Sequence, residues 1–143
     1  MTRSWWIVTA LCLVLPAAPA CSPGKREAAS LVAAVDRYRR AEMNAKGPLA
    51  DLIEVAPCTD TEVCAAKAAC VASARPTAKG SALKAEVESS LADLHAGKLT
   101  QAQASSRDLG AKLDEASRLL DEGHAKLSAC DAEITALRLK YGL

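Results

Sequence analysis

Phenylalanine is missing from this 143-residue sequence, and tryptophan and tyrosine occur only twice each. Both tryptophans, Trp5 and Trp6, lie within the first 20 residues, so Tyr38 and Tyr141 are the only aromatics beyond them. An aromatic core is therefore excluded, and the interior must be built from Leu, Val, Ile and Ala. Alanine is abundant and β-branched residues are sparse, which favours helix over sheet. Small side chains bury little apolar area each, so stability per residue should be modest. Net charge is also lacking. There are 18 Lys and Arg against 17 Asp and Glu, and Arg3 is the only charged residue among the first 20, which leaves 17 against 17. No basic face recommends a nucleic-acid partner. The cluster Arg37, Arg39 and Arg40 reads as a solvated helix face, with Asp36–Arg40 and Glu42–Lys46 at ion-pair spacing.

The residues that usually carry chemistry are equally scarce. The only two histidines are His95 and His124. Their spacing to other potential ligands fits no metal pattern, which needs three or four converging donors. There is no Cys-x-x-Cys and no Cys-x-x-Cys-His, so neither a thioredoxin-like redox motif nor haem attachment is expected. No serine or cysteine sits in a nucleophile motif with a base. The adjacent carboxylates Asp114-Glu115 and Asp121-Glu122 point different ways around a helix and read as solvated. We therefore assign no catalytic, cofactor-binding or metal-ligating residue.

What is present begins at the N-terminus. Arg3 supplies positive charge, Trp5 to Leu15 form an uncharged apolar run, and Pro16-Ala17-Ala18-Pro19-Ala20 ends in small residues before Cys21. This is the layout of a secretory signal peptide over residues 1–20. The apolar run is about half of the roughly 20 residues that span a bilayer, and no second run follows. The stretch Ala18-Pro19-Ala20-Cys21 resembles the lipobox of bacterial lipoproteins, in which the cysteine is diacylated and becomes the mature N-terminus. Ala20 fits that pattern, whereas Ala18 stands where the family usually has Leu, and Pro19 is unusual. The competing reading is a general Ala-x-Ala cleavage site formed by Ala18 and Ala20. Both cut after Ala20, and they differ only in the lipid on Cys21. The resemblance implies a membrane anchor, and Ser22 after the cysteine points to the outer membrane, with the domain facing the periplasm. The alternative location is soluble, either periplasmic or secreted.

Cysteine parity bears on that choice. Of the six cysteines, Cys12 leaves with the signal. If Cys21 carries lipid, Cys58, Cys64, Cys70 and Cys130 remain, an even number suited to an oxidising compartment. Three connectivities are open to four cysteines. We expect Cys58–Cys64 and Cys70–Cys130. A helical turn centred near residue 98 reflects position 130 to about 66, and the helix face of Val63, Ala66 and Cys70 selects Cys70. Cys58 lies ahead of the following helix, where the chain can fold back over its first turn. The main rival, Cys58–Cys130 with Cys64–Cys70, requires that helix to be broken between its two cysteines.

The rest of the chain predicts helices. Residues 21–26 read as a lipidated tether and 27–143 as one domain. Helix A carries Leu31, Val35 and Tyr38 and is kinked or split at Gly47-Pro48, since proline cannot donate to the helix ladder. Thr59 and Glu62 have capping-box spacing ahead of helix B, which is bent or broken at Pro76 and ends at Gly97. Thr100 and Gln103 form a second such box ahead of helix C. There, Leu109, Leu113, Ala116, Leu120, Gly123, Leu127, Cys130, Ile134, Leu137 and Tyr141 follow steps of four and three, the seam of a coiled coil or a long bundle helix. Asp108–Lys112 and Glu122–Lys126 add acid-before-base pairs. The expected fold is all-α, a long antiparallel bundle of three segments stapled by disulfides.

A lipid anchor joined to a helical bundle without catalytic residues implies a non-enzymatic binding or scaffolding module. Its expected partners are the membrane, through Cys21, and a helical protein or a second copy. The alternatives are a small-ligand or metal carrier with an interhelical pocket and an envelope enzyme.

Overall fold

A computed structural model describes residues 23–143, and Cys21 with the signal region lies outside them. The described residues are helical, with no strand among them. Helix α1 spans Pro23–Arg40. Residues 23–26 therefore belong to the first helix and not to the tether expected over 21–26. Pro23 can open it because the first amides of a helix have no internal acceptor. Leu31, Val32, Val35 and Ala28 form its buried stripe.

The break after α1 falls at Ala41 and Glu42, ahead of the expected Gly47-Pro48. A 3₁₀ turn at Met43–Ala45 leads into α2, Lys46–Glu54. Pro48 is the third residue of α2, where its missing amide costs nothing, so Gly47-Pro48 lies at the start of a helix and does not interrupt one. Helix α3, Thr61–His95, runs through Pro76 without a break. Side-chain hydroxyls donate to carbonyls near that proline. Tyr38 Oη donates to Ala74 O at 3.2 Å, Thr77 Oγ1 to Ser73 O at 2.9 Å and Ser81 Oγ to Thr77 O at 2.7 Å.

The third expected segment is not one continuous helix. It comprises α4 (Gln101–Ser106), α5 (Leu109–Ala125) and α6 (Leu127–Tyr141). The Thr100–Gln103 capping box is present. Between α4 and α5, Asp108 adopts φ 47°, a left-handed conformation that Asp tolerates better than most residues. Its carboxylate accepts from Ala111 N at 3.4 Å and caps α5. Lys112 consequently pairs with Glu86 on α3 and not with Asp108. The burial pattern departs from the expected seam in the same region. Leu119 is buried and Leu120 only partly so, while Leu113 is 47% and Leu127 38% exposed.

Contacts along α3 run in opposite order to those along α5 and α6. Cys70 meets Cys130, Ser73 meets Gly123, Glu86 meets Lys112 and Ser90 meets Arg107. The pairing is antiparallel. At about 1.5 Å per residue, α3 is roughly 50 Å long, whereas α1 is roughly 27 Å. The shorter helices lie beside its first half, and the Met43–Ala45 turn reaches a little further, to Ser81, so the molecule has two parts. A four-helix body of α1, α2, α6 and the first half of α3 holds the core, with Leu31, Ile53, Val63, Ile134 and Leu137 fully buried. Beyond it, the second half of α3 continues against α5 and α4 as a two-helix arm. In the α3–α5 contact, a Cβ added at Gly123 would lie 2.8 Å from Ser73 O, and one at Gly80 would lie 2.9 Å from Ala116 O. Both positions need glycine for the helices to approach this closely.

Candidate functional site

The structure joins Cys58 to Cys64, with Cα atoms 5.1 Å apart, and Cys70 to Cys130, with Cα atoms 4.5 Å apart. Both separations lie in the range a disulfide requires. Cys70 and Cys130 are buried in the body, whereas Cys58 and Cys64 are half-buried at its end. Cys58 reaches Cys64 because the chain before α3 folds back across the helix's first turn, ahead of the cap.

That corner is built differently from the expected Thr59–Glu62 box. Asp60 is the cap, and its side chain accepts from Glu62 N at 2.9 Å and Val63 N at 3.2 Å. Thr59 turns instead to Glu27 on α1. Its backbone amide and its hydroxyl each donate to the Glu27 carboxylate at 2.7 Å, and Asp60 N donates to it at 3.2 Å. The Thr59 amide, then the Thr59 hydroxyl, then the Asp60 amide hold the Glu27 pKa below the usual carboxylate range. Asp60 is likewise held low, chiefly by the Val63 amide. Tyr141, at the end of α6, donates its hydroxyl to Asp60 Oδ2 at 3.1 Å. Gly24 packs beneath that hydroxyl, where an added Cβ would lie 2.8 Å from it. The starts of α1 and α3 and the end of α6 therefore meet at one pole of the body. In sequence, that pole begins two residues after Cys21.

The expected ion pairs of the basic cluster are redistributed across helices. Asp36 accepts both contacts from Arg138 at 2.7 Å, and Arg40 Nε donates to the Asp36 backbone carbonyl. Arg39 pairs with Asp131. Lys46 donates to Tyr38 O at 3.0 Å and lies over the Tyr38 ring, so it does not pair with Glu42, and burial holds its pKa down. On α5, Arg118 bridges Glu115 and Glu122, and Lys126 pairs with Glu122 at 2.8 Å. His95 and His124 are both exposed. Among the described residues, no group of three His, Cys, Asp or Glu side chains is placed to hold a metal ion.

The interhelical pocket that the sequence offered as an alternative had no assigned place or lining; the structure has a groove between α2, α3 and α5. It holds about 520 Å³ and is lined by Ala50, Pro76, Ala78, Ala82 and Leu119 together with the charged Asp51, Arg75, Lys79 and Glu122. Arg75 is occupied by Asp51, at 3.0 Å, and by Glu54. The only sequence signal for the groove is the run of small residues on α2 and α3, which also reads as close helix packing. No helix among the described residues is long and apolar enough to cross a membrane. No protein-family model, curated protein or solved structure matches the chain.

Proposed function

We propose that this chain is a lipid-anchored, non-enzymatic module of the bacterial envelope that binds or scaffolds a helical partner. Cys21 is its acylated N-terminus, and the domain faces the periplasm, at the outer membrane. The observation that carries the reading is the division of the molecule into two parts. The stapled body begins two residues after Cys21, and the two-helix arm extends from the opposite end. The arm carries exposed leucines, Leu91 at 42% and Leu113 at 47%, that its own chain leaves partly uncovered. A heptad helix with insufficient cover within its chain is suited to associate with another helix.

Two measurements test this. The intact mass of the mature protein should correspond to Cys21 bearing two or three acyl chains, and an unmodified Cys21 on a soluble periplasmic protein overturns the anchor. Affinity purification from detergent-extracted envelopes should recover a partner, or the chain itself, with the native protein. Leu91→Asp and Leu113→Asp should lose it while keeping the native circular dichroism. Undiminished recovery with both variants overturns the arm as the binding element.

The groove between α2, α3 and α5 favours a second reading, a carrier of a small apolar ligand. Its volume and largely apolar walls suit such a molecule. Native mass spectrometry of the protein purified without detergent would reveal a co-purifying ligand, and a mass equal to the bare polypeptide would count against it.

A further inference from the structure

Resting on the proposed lipid anchor, we infer that the pole of the body where α1 begins lies against the bilayer surface as a second, side-chain-mediated contact, setting the arm to point away from the membrane. Only Ser22 separates Cys21 from Pro23, the first residue of α1, so the link is two residue steps long. At about 3.5 Å per extended step the link reaches roughly 7 Å, too little to hold the body clear of the headgroups. The pole's side chains match that placement. Leu139 is 81% exposed and Val55 is 73% exposed, the two largest values among the large apolar side chains of the described residues, and Leu143 is exposed near Leu139. Leu139 lies in the last turn of α6, two residues before Tyr141, which meets Asp60. Val55 follows α2 and precedes the Cys58–Asp60 corner, and Lys67 Nζ ties that segment to α3 through Ala56 O at 3.0 Å.

The charges at this pole are arranged compatibly. Glu27 and Asp60 are turned inward onto backbone amides, and Glu62 is paired with Lys140 at 2.7 Å. Arg26 faces outward at the same end. Apolar side chains flanked by long cationic ones that snorkel are what an interfacial surface requires. The pole carries no large excess of positive charge, so the contact is with the lipid surface in general and not with anionic headgroups in particular. The arm offers no such arrangement, because its exposed leucines stand well away from the anchored end.

The mature chain has no tryptophan, so one introduced indole reports its position without interference. Leu139→Trp, Val55→Trp and Leu91→Trp are prepared singly in the lipidated protein and reconstituted into phosphatidylcholine vesicles. Emission is compared between ordinary and brominated acyl chains. Tryptophan at 139 and 55 should be blue-shifted and quenched by brominated lipid, and tryptophan at 91 should not. A protein that floats with the vesicles while all three emissions are unaffected overturns this inference alone. Quenching at 91 without quenching at 139 also overturns it, by laying the arm on the membrane. A protein that remains in the supernatant with Cys21 unmodified overturns the anchor, and this inference with it.

Discussion

The body and the arm use the same helices to different ends. In the body, four helices surround Leu31, Ile53, Val63, Ile134 and Leu137, and each of these is covered on all sides. In the arm, α3 packs chiefly against α5, with smaller contacts from α4 and from the Met43–Ala45 turn, which reaches Ser81, so leucines on the same periodic stripe have less cover there. Leu113 sits four residues after Leu109 and three before Ala116 yet is nearly half exposed, whereas Ile134 on the same stripe is fully buried. Periodicity selects the face a residue takes, and the number of neighbouring helices sets how much that face buries. Both disulfides also lie in the body. The arm is held by small-residue contacts at its base, by Lys112 with Glu86 and by Arg107 with Ser90. An element with fewer buried apolar contacts opens more readily, which suits a part that meets a partner.

Truncating the two regions equivalently should give the largest contrast. Leu31→Ala or Ile134→Ala should cost about 2–5 kcal/mol, as fully buried aliphatic residues do. Leu113→Ala should cost less than about 1 kcal/mol. Urea denaturation followed by circular dichroism measures both, and equal costs would erase the distinction between body and arm.

The disulfides sharpen the comparison within the body. Replacing Cys70 and Cys130 together with Ser opens a link spanning 60 residues, and replacing Cys58 and Cys64 opens one spanning 6. Loop-closure entropy assigns these about 4 and about 2 kcal/mol respectively. Thermal melts of the two double variants should fall in that order. The reverse order would mean that the pole, and not the core disulfide, organises the fold.

A smaller effect tests the base of the arm. Gly123→Ala forces the α3–α5 contact apart and should cost about 1–3 kcal/mol. Gly110→Ala, in the same helix with nothing within 4 Å of the added carbon, should be neutral or stabilise by up to about 1 kcal/mol. Matched melts of these variants would show that helix propensity, and not close approach, governs α5.

The mildest effect is an acid sensitivity at the pole, separate from that of Glu115 and Glu122 on α5, which Arg118 and Lys126 respectively also hold low. The folded-state pKa values of Glu27 and Asp60 are depressed, so their stabilisation is present above the unfolded carboxylate values of about 4. It is lost as pH falls through the lower folded values. Melting temperature should therefore decline below about pH 4, and Glu27→Gln with Asp60→Asn should flatten that decline. An unchanged acid limb in the double variant would show that these carboxylates do not couple the pole to folding.

Local chemistry made several features legible in the sequence. The Thr100–Gln103 box and the stop at Gly97 depend on neighbours within a few residues, and they placed the α3–α4 turn. That turn in turn aligned Cys70 with Cys130. The Glu122–Lys126 pair is likewise local and is present. The pole was not legible, because Glu27 meets its partners 32 residues away and Tyr141 meets Asp60 81 residues away. Once Glu27 engages Thr59, the capping role passes to Asp60, a choice the Thr59–Glu62 spacing cannot register. The shift of the first break from Gly47-Pro48 to Ala41 has the same character, since proline forbids a helix interior but not a helix start.

The sequence by itself therefore determined the helical class, the fourfold cysteine framework and the turn that folds α3 back on the following helices. Those follow from side-chain size, backbone propensity and short-range spacing, which act before any tertiary contact forms. Only the tertiary structure decided where the long third segment breaks, at Asp108 and Lys126, and which of Leu119 and Leu120 is buried. It also decided that α1, α2 and the turn between them lie beside α3 only as far as about Ser81 and leave the rest as an arm. Those outcomes depend on how far each helix extends beside its neighbours in space, a quantity that no single stretch of the chain encodes.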